Sequence, residues 1–542
     1  MYLLDRDIHT AKAMIIDGNP TSRSVMAAQL RDLGVPQVRQ VSRVQDARLA
    51  LEEGTHDIVL CEMNFEGAPM SGQDLLDELR REQLLPYSTV FMLVTGEASY
   101  SQVMEAAEAT VDGYLVKPYS AMVLAERLAE SRRRKRSLKL IYEAIQAGDY
   151  VRAAALAEKR FDTRDTYWLF AGQVAAELWL RADQPQRAMK VYNDVLAEKP
   201  QAWAKAGVAR ARFAMGELAA ARRLLEALVA DTYGYADAHD LLGRVLVEQG
   251  EFAPALDAFR MAANMTPGCL LRMQHRGTLA FYLGHKEEAV QNLERTISLG
   301  RKSKLFDALC LVLLGLLKFD LRDSRGLASV MDQVHAMLET FPASARLGRI
   351  RLLMTGLTAI LGRKPEEALL VARELASGIM TPGFDLEAAA LTISLWVRLP
   401  NGEVPLKEFD TLLRAAGLRF CVSKACTEVL AASAEKVATA AETIRNCHTV
   451  ITNLAEQALN KSLSSEAATA VGMLLEHGEN TRNAKLIDMA GAVARRHAKH
   501  VADVDSVQQR VKQMQDAWCA PLTHIAGVRR SARTPGGVVL RT

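Results

Sequence analysis

The chain has 542 residues, 49% hydrophobic and 24% charged, which exceeds one hydrophobic core and excludes a largely disordered polymer. Its 67 Lys and Arg against 64 Asp and Glu argue against broad, non-specific nucleic-acid binding. The cysteines at 61, 269, 310, 421, 426, 447 and 519 form no CxxC pair, so free thiols in a reducing cytosol are expected rather than a zinc site. No apolar run reaches the ~18 residues of a membrane helix, and the first residues lack the apolar core of a signal peptide. A cytoplasmic protein without a membrane span is expected.

Over residues 1–131 apolar runs alternate with amphipathic stretches, the pattern of a βαβ series. AMII (13–16) predicts a first buried strand ending at Asp17, and 20–33 a helix opened by Pro and Ser. VRQV (38–41) and DIVLC (57–61) predict the next strands, with a helix over 44–53 between them. A loop with Gly67, Pro69 and Gly72 leads to a helix over 73–82. TVFMLV (89–94) leads into Thr95, a helix is expected over 99–109, and GYLV (113–116) precedes Lys117-Pro118. A fifth helix starts near Ser120. Five strands alternating with five helices imply a doubly wound α/β sheet, whose ligands bind at the carboxyl ends of the strands. Asp17, Glu62, Thr95 and Lys117 all fall there.

An acid after strand one, an acid after strand three, Thr after strand four and Lys-Pro after strand five resemble a response-regulator receiver of the CheY-like, flavodoxin-like type, over about residues 12–131. The resemblance implies a magnesium acid at Asp17, a phosphoryl-binding Thr95, a Lys117 that pairs with the acceptor or its phosphate, and a state-reporting aromatic at Tyr114. It also implies a cis Lys117–Pro118 bond. Two positions depart from the family. The second acid after strand one is replaced by Gly18, and the phosphoacceptor is replaced by Glu62. Magnesium needs near-octahedral oxygen ligands at fixed reach, so its site is expected to be incomplete, and no other cofactor is implied. Three readings of Glu62 stay open: a fixed charge mimicking the phosphorylated state, an inert pair with Lys117, and residual phosphorylation.

RRRKR at 132–136 is expected to be a solvated helical connector, spanning 132–139. After it the β signal fades. Gly148, Gly216, Gly250 and Gly284 each lie five residues before an alanine, with Asp183 and Ala188 in the same relation, at a period near 34. That is the period of a helix–turn–helix array, and residues 236–267 closely resemble a tetratricopeptide repeat. Repeats are therefore expected over 140–380, with another such turn at 360–372. ALCLVLLGLL (308–317) is too short to span a membrane and predicts a buried helix. Degenerate repeats or a helical cap are expected over 381–520, with helices at 385–398, 406–416, 424–445, 448–459, 465–477 and 482–499. The Gly/Pro/Arg-rich residues 521–542 are expected to be disordered.

A stacked array presents a groove lined by the first helix of each pair. The resemblance places Trp203, Ala206, Arg210 and Phe213 there, then Asp237, Asp240, Arg244 and Glu248, then Gln274, Thr278 and Phe281. Packing between repeats is the competing account of the aromatics, and Arg210 and Arg244 are the stronger groove residues. No Walker, HExxH or GxSxG motif is present, so no enzyme is expected. The leading expectation is a signalling adaptor in a phosphorelay. Its receiver meets a sensor kinase, another two-component protein or its own twin through residues 99–131, and the array holds an unnamed protein or peptide. Two alternatives stay open: a phosphorylatable regulator with repeat output, and a DNA-binding regulator with a C-terminal module over 481–500.

Overall fold

A computed structural model describes residues 7–65, 71–81, 85–86, 88–96, 112–198, 201–231, 235–267, 269–301, 306–400, 404–464, 466–519, 524–525 and 528–529. The expected helix over 99–109 lies outside these residues, as does most of the expected tail at 521–542. Within that tail a two-residue ladder pairs His524–Ile525 with Val528–Arg529.

Five parallel strands, β1 (Lys12–Ile16), β2 (Gln37–Val41), β3 (Ile58–Glu62), β4 (Val90–Thr95) and β5 (Gly113–Val116), form one sheet in the order β2-β1-β3-β4-β5. Strands covered on both faces read as continuous apolar runs, and every residue of β4 is buried. Met26, Leu30, Leu124 and Leu128 cover one face, while Ala47, Leu75 and Leu79 cover the other. The helix Pro20–Asp32 starts where the Asn19 side chain accepts from the backbone N–H groups of Thr21 and Ser22. Glu62 and Thr95 are the last residues of their strands rather than the first beyond them. The Lys117–Pro118 bond is cis.

The basic run is a helical connector but only partly solvated, with Arg133 and Arg136 exposed. The helix Ala121–Ser137 continues through it, and Lys135 is buried, its ammonium 2.7 Å from Asp112. Asp112 precedes β5, accepts from Phe91 N at 3.0 Å, and also lies 3.5 Å from Arg134. The same two cations sit over Tyr142 and Phe170 of the repeats, 4.7 and 4.8 Å from the ring centroids. A buried ammonium needs a counter-charge, and Asp112 provides it from a residue distant in sequence.

From Lys139 to Ser377 the described residues form seven successive helix pairs. In each, the second helix begins two residues after a left-handed residue: Gly148, Asp183, Gly216, Gly250, Gly284, Arg322 or Arg363. The turn at 360–372 is present, but Arg363 rather than Gly362 takes the positive φ. Small residues let the helices approach. A Cβ on Gly207 or Gly243 would lie 2.3 Å from Tyr192 or 2.6 Å from Phe259. Residues 309–317 are buried throughout, within the helix Leu309–Asp320.

Beyond the pairs the expected break at 446–447 is absent. The helices are Lys424–Ser433 and Ala438–Leu463, with the interruption at 434–437. Ile444, Cys447, Ile451, Ala455 and Ala458 are buried at spacings of three and four, so one helical stripe runs through the expected gap. A helix over Val504–Trp518 was not anticipated. Among the described residues no helix is long and apolar enough to cross a membrane.

Candidate functional site

At the carboxyl ends of β1, β3, β4 and β5 the structure brings Asp17, Glu62, Thr95 and Lys117 together. The Lys117 ammonium lies between the two acids. It donates to Asp17 Oδ2 at 2.7 Å and to Glu62 Oε2. Asp17 is buried, and its remaining capacity is spent locally: Oδ2 also accepts from Ser22 Oγ at 2.7 Å, and Oδ1 from Asn19 N at 2.7 Å. Glu62 Oε1 accepts from the Met63 N–H at 3.1 Å. Lys117 is itself placed by the sheet, its backbone N–H donating to the Thr95 carbonyl at 2.7 Å. Thr95 is buried, and the Tyr114 hydroxyl is 3.9 Å from Met63 Sδ, with the half-buried ring packed on the core. Ser22 and Asn19 belong to the site and were not anticipated as such. The helix start at PTSRS was legible, but its reach to Asp17 was not.

Burial and charge together set the titration behaviour. Burial pushes the Glu62 carboxyl above its ordinary range, an effect that Lys117 offsets only in part. The two carboxylates raise the Lys117 ammonium, against its own desolvation. Burial, followed by the charges of Asp17 and Glu62, pushes the Tyr119 phenol up to about 12. These residues do not fit magnesium. The Asp17 oxygens are committed to protein donors and the space between the acids holds an ammonium. A Cβ on Gly18 would meet nothing within 4 Å, so the position of the missing acid is open but carries no ligand.

The residues assigned to the groove fall into two groups. Ala206, Gln274 and Thr278 are buried, which removes them from a groove surface. Gln274 Oε1 accepts from Asp307 N at 2.7 Å. Most of the others serve repeat-to-repeat contacts. Arg210 pairs with Glu177, which also accepts from Tyr192 Oη at 2.8 Å. Asp240 pairs with His275 at 3.1 Å, and Asp237 with Arg272 at 2.8 Å. Trp203 packs edge-on to Tyr192, Arg244 lies over Phe213, and Phe281 packs edge-on to Tyr282. Glu248 is half-buried in the helix Ala236–Glu248. The helix Lys424–Ser433 packs against both Ala236–Glu248 and Leu270–Tyr282, with Lys424 against the Gly250 turn. The chain's own C-terminal half therefore meets this stretch of first helices. Arg210→Glu would set two acids against each other across two repeats, so its expected result is about 2–4 kcal/mol of lost stability, read from the urea midpoint. A change in binding without unfolding is not expected from it.

Of the span 481–500, the helix Ala484–Arg496 packs between Ala467–Thr481 and Val504–Trp518, burying Leu486, Ile487, Ala490 and Val493.

A doubly wound sheet with acids, Thr and Lys-Pro at its carboxyl edge defines a receiver-type signalling fold. The model of the response regulator receiver domain matches residues 13–129. The chemotaxis protein CheY-3 of Vibrio cholerae serotype O1 is 38% identical over 117 residues, covering 22% of this chain and 88% of that protein. CheY of Pseudomonas aeruginosa is also 38% identical over 117 residues, covering 92% of that protein. Through these residues the chain belongs to the response-regulator receiver family. Solved structures similar to part of the chain include the Pseudomonas aeruginosa pilF protein, at 18% identity and TM-score 0.34 over 40% of this chain and 96% of that one. The C-terminal part of a TPR repeat-containing protein of Cytophaga hutchinsonii matches at 13% identity and TM-score 0.28, over 49% of this chain and 97% of that one. The seven helix pairs with their left-handed turns form a tetratricopeptide-type array.

Proposed function

We propose that this protein is a cytoplasmic signalling adaptor whose receiver is held in one setting without magnesium or phosphoryl transfer. One observation carries the reading: the Lys117 ammonium bridges Asp17 and Glu62, in the space a metal and a phosphoryl group would need. A carboxylate on the longer glutamate arm supplies a permanent negative charge to Lys117, the group that would answer a phosphate. The protein is not an enzyme on this reading. The receiver serves as a docking surface for a sensor kinase, another two-component protein or a second copy of the chain. The repeat array carries a further protein partner, away from the first helices that the Lys424–Ser433 helix meets.

The test is incubation of the full chain with a small phosphodonor and magnesium. No hydroxylamine-sensitive phosphoryl adduct is expected on the wild type. A stoichiometric adduct would show that the bridge opens and that the receiver is an ordinary switch.

A further inference from the structure

Between the second and third helix pairs the array opens into a cleft of about 600 Å³. Its walls are two second helices, Pro185–Glu198 and Leu218–Asp231, and its floor is the first helix Ala202–Ala214. Leu196, Val208 and Leu224 supply apolar lining, and Leu224 is 40% exposed. Three cations, Lys205, Arg212 and Arg223, edge the cleft with a single acid, Asp231. Arg212 pairs with Glu217, and Lys205 stands 4.0 Å from Asp231. Arg223 is exposed and has no ion pair among the described residues, so the cleft carries one cation in excess.

This surface is not common to every repeat. Counted from the left-handed turn residues, Arg276 and Glu288 of the fifth pair take the places of Val208 and Ala220. They bond to each other at 2.7 Å, and Arg260 holds the same Glu288 at 2.6 Å. Paired charges stand there where the third pair leaves apolar surface. At the sixth pair a cleft of about 440 Å³ returns, with Leu314 and Val330 in the places of Val208 and Leu224. Its two cations, Arg301 and Lys318, are balanced by Glu294 and Asp323, which hold Lys318 at 2.7 and 3.3 Å. The cleft of the third pair is set apart by its excess positive charge. Walls made of helices offer no free backbone N–H or C=O, so an occupant must satisfy its own backbone, as a helix does. From Ala220 to Asp231 one wall lines the cleft for about 16 Å, or about three helical turns.

We propose that this cleft docks an acidic amphipathic helix of a partner protein. Its apolar stripe lies on Leu196, Val208 and Leu224, and its carboxylates face Arg223 and Lys205. The inference rests on the reading that the array carries a protein partner away from the first helices met by Lys424–Ser433, and it names that partner's chemistry. Charge sets which helices are accepted, while the apolar contact supplies most of the affinity.

The test is selection from a random displayed-peptide library, long enough for about four helical turns, on the full-length chain. A parallel selection uses the double variant Arg223→Glu with Leu224→Glu. Both side chains are exposed, so the variant should keep the wild-type urea midpoint. Wild type is expected to enrich peptides with apolar residues at i, i+4 and i+7 among Asp and Glu. These should bind the double variant about tenfold more weakly and bind Leu406→Glu, an exposed position outside the cleft, as they bind wild type. A basic or uncharged consensus would overturn the proposal. Peptides that bind wild type and double variant equally would overturn it too, while leaving the array's partner reading intact. No enrichment on either protein would remove both. Self-association of wild type that the double variant loses, seen by sedimentation, would assign the cleft to a second copy of the chain instead.

Discussion

Replacing Lys117 with methionine is expected to cost about 3 kcal/mol of stability, the scale for removing the shared cation of a largely buried ion cluster. The loss is large because two acids, not one, are left facing each other. Asp17 and Glu62 are 2% and 14% exposed at the side chain, so water cannot replace the ammonium cheaply. Glu62→Gln should behave differently. Lys117 keeps its 2.7 Å contact with Asp17, and the variant should stay within about 1 kcal/mol of wild type. The pH dependence separates the two further. Glu62 is raised above its ordinary 4.5, so its share of stability is full below that value and lost as pH rises through the folded value. Lys117 is raised above 10.5, so its share is complete below 10.5 and lost at higher pH. Without Lys117 only the acid-favouring contribution remains, strengthened by repulsion between the carboxylates. The methionine variant should therefore gain stability as pH falls toward 4.5. Urea titrations across pH on both variants measure this. A methionine variant as stable as wild type would mean the bridge contributes little.

Asp112→Ala is expected to cost more, about 3–5 kcal/mol, because it strands a buried ammonium. Lys135 and Asp112 are 8% and 6% exposed at the side chain. Asp112 also holds Phe91 N in the sheet and faces Arg134, so one side chain joins β4, the start of β5 and the helix Ala121–Ser137. Lys135 and Arg134 then rest on Tyr142 and Phe170. Losing the carboxylate should loosen the receiver from the repeats as well as lower stability. Limited proteolysis should show new cleavage within residues 132–139, and the receiver should unfold at lower urea than the array. A double variant, Asp112→Ala with Lys135→Met, removes the stranded charge and should recover a good part of the loss. No recovery would mean that Asp112 acts mainly through Phe91.

The helical part shows how differently two kinds of information are stored. Gly148, Gly216, Gly250 and Gly284 announced their turns because glycine takes positive φ readily. Arg322 takes the same conformation at the same place and gave no such signal, whereas the turn at 360–372, where Arg363 takes it, was legible. The stripe of Ile444, Cys447, Ile451, Ala455 and Ala458 is present in the sequence, but Arg445 and Asn446 interrupt its apolar pattern and hide the continuity of the helix. Gln274 looked like a groove residue by register, yet it is buried and bonded to Asp307 N, thirty-three residues away. The receiver strands were legible within one or two residues, and β1, β3 and β4 most directly, because strands buried on both faces are continuous apolar runs.

The parallel sheet, the repeat period, and the presence of Asp17, Gly18, Glu62 and Lys117 at the strand ends can be read along the chain. All of these follow from local periodicity or from residue identity at a topological edge. How the charges are shared depends on packing, which puts Lys117 on both acids, Lys135 under Asp112 and Arg210 on Glu177. One cause is common to all three. A buried charge is governed by what lies within a few ångströms of it, and those neighbours come from elements far apart in the chain.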